Sequence, residues 1–157
     1  STSDSHQGLT DVTKTWSEIE LKPYQDIIAK GKADFIMTAH IFNSNLDADY
    51  PATLSKNIIT GILRNQLKFD GIIVSDDMNM KAITDYYGLS NAIELSINAG
   101  VDILVFGNNL IYDEMIATKA IDIIKKLIDD GKISKERIDE SYQRIMKIKS
   151  NLFNILI

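Results

Sequence analysis

The sequence predicts an α/β architecture with parallel strands. Three observations predict it: three short apolar runs rich in Val, Ile and Phe, a glycine close ahead of each run, and helix-spaced apolar residues between them. Strands of a parallel sheet read as continuous apolar runs because both faces are covered, and glycine punctuates the point where a helix ends and a strand begins. Strand alternating with helix at this spacing calls for right-handed crossovers. Three readable strands fit either part of a closed barrel or a small open sheet with further strands, since a whole eight-stranded barrel takes ~250 residues and this chain has 157.

Along the chain, a first helix is expected from about residue 20 to 30, where Leu21, Tyr24, Ile27 and Ile28 share a face and Pro23 lies near the start. Gly31 then precedes the first strand, Asp34-Phe35-Ile36-Met37-Thr38-Ala39-His40. Ser55 is placed to cap a second helix, shortly after Pro51, in which Ile58, Ile59, Ile62, Leu63 and Leu67 recur on one side. The second strand is Gly71-Ile72-Ile73-Val74-Ser75. A helix over 92–99 leads through Gly100 into the third strand, Val101-Asp102-Ile103-Leu104-Val105-Phe106. A long helix from about 112 to 130 is stopped by Gly131, and a last one starts at Ser134 with Glu136 in its first turn and Ile138, Tyr142, Ile145 and Ile148 along it.

Composition narrows the function classes. With 45% hydrophobic and 25% charged residues the chain is expected to fold rather than stay disordered, and its length suffices for one sizeable core. Seventeen Lys and Arg against 22 Asp and Glu leave a net charge of -5, the wrong sign for tracking nucleic-acid phosphates. The apolar runs fall far short of the ~20 residues of a membrane helix. Absence of cysteine removes disulfides, thiol nucleophiles and cysteine-ligated metals. The chain opens Ser1-Thr2-Ser3-Asp4-Ser5-His6, without initiator Met or signal peptide. It is therefore expected to be a piece or processed product of something longer, soluble in the cell envelope, outside the cell or in the cytoplasm.

In parallel α/β folds the chemistry gathers at the C-terminal ends of strands. The second strand ends in Ser75-Asp76-Asp77-Met78, which puts two adjacent carboxylates at that end. Asp76 is the better candidate for a ligand-facing group, the competing role for either Asp being to cap the next helix. The first strand ends at His40, more ordinarily a hydrogen-bonded structural histidine than a catalyst. The other histidine lies in Asp4-Ser5-His6, where a carboxylate two residues away can fix the imidazole tautomer and stabilise its charged form, the recipe for a general acid/base near neutral pH. Two histidines without acidic neighbours at ligand spacing do not make a zinc site.

Five ordered blocks carry a resemblance: Asp4-Ser5-His6; Met37-Thr38-Ala39-His40-Ile41; Tyr50-Pro51-Ala52-Thr53-Leu54-Ser55; Phe69-Asp70-Gly71-Ile72-Ile73-Val74-Ser75-Asp76-Asp77-Met78-Asn79-Met80; and Ala99-Gly100-Val101-Asp102. In order and spacing the chain resembles family 3 glycoside hydrolases, and more narrowly their β-N-acetylglucosaminidase branch. The resemblance covers nearly the whole chain. It implies a partial (β/α)8 barrel, about strands six to eight with flanking helices, in which residues 1–157 form the C-terminal portion of one catalytic domain and the N-terminal part is absent. It implies Asp76 as catalytic nucleophile, His6 with Asp4 as an acid/base dyad, and His40 and Met78 as substrate-binding residues. A histidine acid departs from the two-carboxylate scheme of most retaining glycosidases. The implied reaction is double displacement on terminal β-linked N-acetylglucosamine from cell wall or chitin, with retention and with neither metal nor organic cofactor.

On the same resemblance the grip on the sugar comes from segments upstream of Asp4, so the isolated chain is expected to be inactive. A bare partial barrel also leaves strand edges and apolar faces uncovered, hence an expectation of self-association. Two other classes fit some of the residues. A receiver-type phosphoacceptor domain also carries an acidic pair at a strand end, but on its first strand, and pairs it with a Lys-Pro after a late strand, whereas Lys22-Pro23 here comes early. A non-catalytic interaction half-domain would keep the motifs idle.

Overall fold

The structure is a computed structural model and describes residues 8–108 and 112–155, the side chains of 152–155 excepted. In chain order it contains strand β1 (Thr10–Asp11), a 3-10 turn (Glu18–Leu21), helix α1 (Lys22–Ala29), and strands β2 (Phe35–Met37) and β3 (Ile41–Phe42). A second 3-10 turn (Ala52–Leu54) and a π-helix (Asn57–Gln66) lead to strand β4 (Ile72–Asp77). Helices α2 (Lys81–Tyr87) and α3 (Leu89–Ala99), strand β5 (Ile103–Val105) and helices α4 (Ile116–Asp129) and α5 (Lys135–Ile155) complete it.

All strand pairs are parallel. β4 sits between β2 and β5 in a three-stranded sheet, and β1 pairs with β3 in a separate two-stranded one. The three apolar runs are thus the three strands of the main sheet, in the predicted α/β order. β1 and β3 escape a sequence reading because two residues are too few to show a period. In the main sheet Phe35 pairs with Ile72, Ile36 with Ile73 and Met37 with Val74. Since side chains alternate, Ile36, Ile73 and Leu104 face the helices, where they pack with Ile59, Phe69, Ala99 and Val101. A second cluster joins α3 to α4 through Ile93, Ile97, Ala120 and Leu127, with Ile133. A third lies under the C-terminal end of β4, where Leu54, Met78, Ile83 and Ala92 meet.

The predicted caps form at two helices. Ser55 Oγ accepts the amide of Ile58 at 3.0 Å and Ser134 Oγ accepts that of Arg137 at 3.1 Å, each satisfying a donor that the first turn leaves without a partner. Pro23 stands in the first turn of α1, where its missing N–H costs nothing. The helix after Ser55 is a π-helix. Its apolar stripe is as expected, but backbone pitch is not written in that stripe. Helix α2 lies outside the predicted elements, since it has only seven residues and no side-chain cap. Among the described residues no helix is long and apolar enough to cross a membrane.

Candidate active site

The C-terminal end of β4 is built by an irregularity in its pairing with β5. Val74 pairs with Ile103 and Asp77 with Val105, so three steps along β4 match two along β5 and one residue is extra. Such a bulge bends the strand and re-aims its side chains. Ser75 stabilises it: the hydroxyl, fully buried, accepts the amide of Val105 at 2.9 Å where a strand carbonyl would otherwise do so. The Met78 amide then rejoins the ladder at the Val105 carbonyl, 2.9 Å away.

The two carboxylates after Ser75 have different surroundings. Asp77 Oδ1 accepts the amides of Asn79 and Gly107, both at 2.9 Å, and so ties the turn after β4 to the chain leaving β5. Asp76 is half-buried and, among the described residues, accepts one hydrogen bond, from the Asp77 amide to Oδ1 at 2.8 Å. Among the described residues its second oxygen has no hydrogen-bond partner. The sequence leaves open which Asp braces the following segment; the structure gives that work to Asp77.

His40 is fully buried beside this pair. Its Nε2 lies 2.9 Å from the Asp77 carbonyl and its Nδ1 2.9 Å from Thr53 Oγ1, which in turn is 2.9 Å from Thr38 Oγ1. A carbonyl only accepts, so Nε2 carries the proton. Burial pushes the imidazole below its usual pKa and outweighs the upward pull of the Asp77 carbonyl and of the Asp76 and Asp77 carboxylates, so the ring is neutral. Met78 is fully buried in the cluster with Leu54, Ile83 and Ala92, its sulfur 3.8 Å from Ser96 Oγ. His40 and Met78 therefore stand behind the Asp76 surface rather than on it. Asp4 and His6 lie outside the described residues.

Thr38 and Thr53 are absent from the predicted site residues, although the quoted blocks contain both. The usable signal is Pro51-Ala52-Thr53-Leu54-Ser55, a polar residue between small and apolar ones right after a proline. The preceding loop is fixed by buried Asp47, which accepts the amides of Asp49 and Tyr50 and the Ser55 hydroxyl. Among the described residues no three acidic or histidine side chains converge as metal ligands do.

A parallel sheet with helices between its strands carries a carboxylate at the C-terminal end of the central one, the place where α/β enzymes put their chemistry. The chain belongs to glycosyl hydrolase family 3: residues 1–148 match the glycosyl hydrolase family 3 N terminal domain. It is 38% identical over 109 residues to a β-hexosaminidase of Tolumonas auensis, a match covering 68% of this chain and 32% of that protein. Among solved structures, a glycoside hydrolase family 3 β-N-acetylglucosaminidase from Paenibacillus sp. str. FPU-7 superposes with a TM-score of 0.80 at 32% identity, over 94% of this chain and 28% of that one. CbsA from Thermotoga neapolitana superposes with a TM-score of 0.85, also at 32% identity, over 96% of this chain and 34% of that one. The chain thus spans about a third of the length of the proteins it matches. Family membership displaces the receiver-type alternative.

Proposed function

We propose that this chain carries the reaction centre of a retaining β-N-acetylglucosaminidase, and that its three-stranded sheet is strands six to eight of a (β/α)8 barrel whose other strands complete the sugar pocket. The observation that carries this reading is the asymmetry of the acidic pair: Asp77 is committed to two backbone amides, while Asp76, among the described residues, accepts only the Asp77 amide and holds its other oxygen at the strand end. The names of the relatives, β-hexosaminidase and β-N-acetylglucosaminidase, support the substrate class.

In the first step a free carboxylate oxygen of Asp76 attacks the anomeric carbon. The exocyclic C–O bond breaks, and protonated His6, oriented by Asp4, gives its proton to the departing oxygen. The product is a glycosyl ester on Asp76. Neutral His6 then takes a proton from water as the water oxygen attacks the same carbon, the ester bond breaks, and the Asp76 carboxylate is regenerated. Two inversions give net retention. His40 and Met78 serve the sugar by shaping the wall that carries Asp76. Because positioning supplies much of an enzyme's rate, the 157-residue chain alone is expected to turn over little.

The test uses the longest polypeptide in which this sequence occurs, assayed for release of 4-nitrophenol from its β-N-acetylglucosaminide. Asp76→Ala is expected to abolish turnover, and retained turnover removes Asp76 as nucleophile and favours an idle interaction domain. His6→Ala is expected to hurt substrates with poor leaving groups most, since good ones need little protonation. An equal loss across leaving groups excludes His6 as the acid.

A further inference from the structure

On the β2 side Asp77 has no ladder partner, because β2 ends at Met37, three positions before the level of Asp77 is reached on β4. The ladder between β2 and β4 continues regularly through Thr38, whose amide donates to the Val74 carbonyl at 2.8 Å. Beyond that point the backbone bonds stop and a side chain takes over: the His40 ring donates to the Asp77 carbonyl. We infer that His40, with Thr53 and Thr38 behind it, is a positioning residue that aims the Asp76 carboxylate by clamping the backbone of Asp77. The inference rests on the assignment of Asp76 as nucleophile and adds a residue role to it.

The clamp works through a short chain of contacts. Asp77 is held at three points: its carbonyl by His40 Nε2–H, its side chain by the amides of Asn79 and Gly107, and its own amide by Asp76 Oδ1. Fixing the carbonyl fixes the peptide plane that follows Asp77, and the side-chain bonds fix the residue's rotation, so the amide that holds Asp76 Oδ1 points in one direction. The carboxylate then presents its other oxygen without a search.

Donor arithmetic makes the relay one-directional. With Nε2–H spent on a carbonyl, the neutral ring has only Nδ1 left, as an acceptor, and Thr53 must donate to it. Thr53 has a single hydroxyl hydrogen, so its contact with Thr38 has Thr38 donating. His40 and Thr53 are fully buried and Thr38 nearly so, so water does not compete for these bonds. A protonated ring would donate from both nitrogens and force Thr53 and Thr38 to turn their hydroxyls round. Burial lowers the pKa of His40 and keeps the relay in its one working state, against the opposing pull of Asp76 and Asp77.

Three measurements test the inference. In 15N spectra of the wild-type chain at about pH 8, where a free imidazole is neutral too, His40 is expected to show a protonated Nε2 and a bare Nδ1; the opposite tautomer, with the proton on Nδ1, overturns the relay. In the full-length enzyme, His40→Leu is expected to lower kcat about 100-fold while KM stays within about threefold, the signature of a misplaced nucleophile rather than of lost binding. His40→Gln, whose amide nitrogen can reach the same carbonyl, is expected to recover at least about tenfold of that loss. Should His40→Leu fail to fold, Thr53→Ser and Thr53→Val carry the same test: Ser keeps turnover and Val loses about tenfold in kcat, and equal turnover of the two overturns the inference. An inactive Asp76→Ala beside a fully active His40→Leu overturns the positioning role alone. An active Asp76→Ala overturns the nucleophile and the positioning role together.

Discussion

Asp102 offers no side-chain surface to water, yet three guanidiniums converge on it, Arg64 at 2.7 Å, Arg144 at 3.1 Å and Arg137 at 3.3 Å, together with the Ser141 hydroxyl and the Ile73 amide. Two of the arginines also bond carbonyls, Arg64 those of Phe69 and Gly71 and Arg137 those of Ile97 and Val101. This knot sits just ahead of β5, at the strand end opposite the candidate site, where barrel folds place stability rather than chemistry. Asp102→Asn keeps the shape and removes the counter-charge, and the loss is expected to be about 3 to 5 kcal/mol in urea unfolding. A second residue-scale expectation concerns His40. Its folded pKa lies below the ordinary value of about 6.5, so below that pH the unfolded chain binds a proton the native one refuses, and stability falls as pH falls. As pH falls through about 6.5 the urea midpoint is expected to drop more steeply in wild type than in His40→Gln, and parallel slopes would place the imidazole outside the buried relay. The sequence points to a hydrogen-bonded histidine at position 40 but not to its partners, and the knot is not legible at all: Asp102 is one residue of a quoted block, its arginines lie about 40 positions away, and only packing brings them together.

Elements show the opposite balance. The three main strands were legible because each couples a Val/Ile/Phe run to a preceding glycine, and Gly100 shows why that punctuation is there. Its φ of 118° ends α3 while its amide reaches the carbonyls of Ser96 and Ile97. A side chain there would meet Ile59 and Thr60 of the π-helix at 3.1 and 3.2 Å, and the Thr60 hydroxyl already bonds the Ala99 carbonyl at 2.7 Å. The glycine lets the π-helix dock against the end of α3, so Gly100→Ala carries both a backbone and a packing penalty. A loss of more than about 1 kcal/mol is expected by thermal or urea unfolding, and an unchanged midpoint would mean that the two helices are not held this closely. What stayed hidden at this scale follows from length and pitch. Strands β1 and β3 span two residues each, and the stripe from Ile58 to Leu67 looks the same on an α- or a π-helix.

For the whole molecule, the legible part of the site is what one strand end carries, Asp76 and Asp77. The partnership with Asp4 and His6 is read from the resemblance, since no local pattern links residues 70 positions apart. The same scale governs association. Among the described residues β2 forms the edge of the main sheet, and Phe35 and Met37, on the face away from the helices, are 52% and 62% exposed. Ile19, Tyr24 and Ile27 leave a further apolar stripe open along the first helical segment. An edge with free N–H and C=O groups and apolar side chains is a template for another strand, and natural proteins blunt such edges with charge. On the proposed barrel reading a further strand would lie there in a longer polypeptide; in a solution of this chain alone, a second copy is expected to. Light scattering at micromolar concentration should therefore give a mass above that of one chain, falling on dilution, and Met37→Lys, which puts a charge on the edge without touching the helix-facing core, should shift the population to monomer. A chain that is monomeric across the whole dilution series would show that the exposed edge of β2 does not recruit a partner strand.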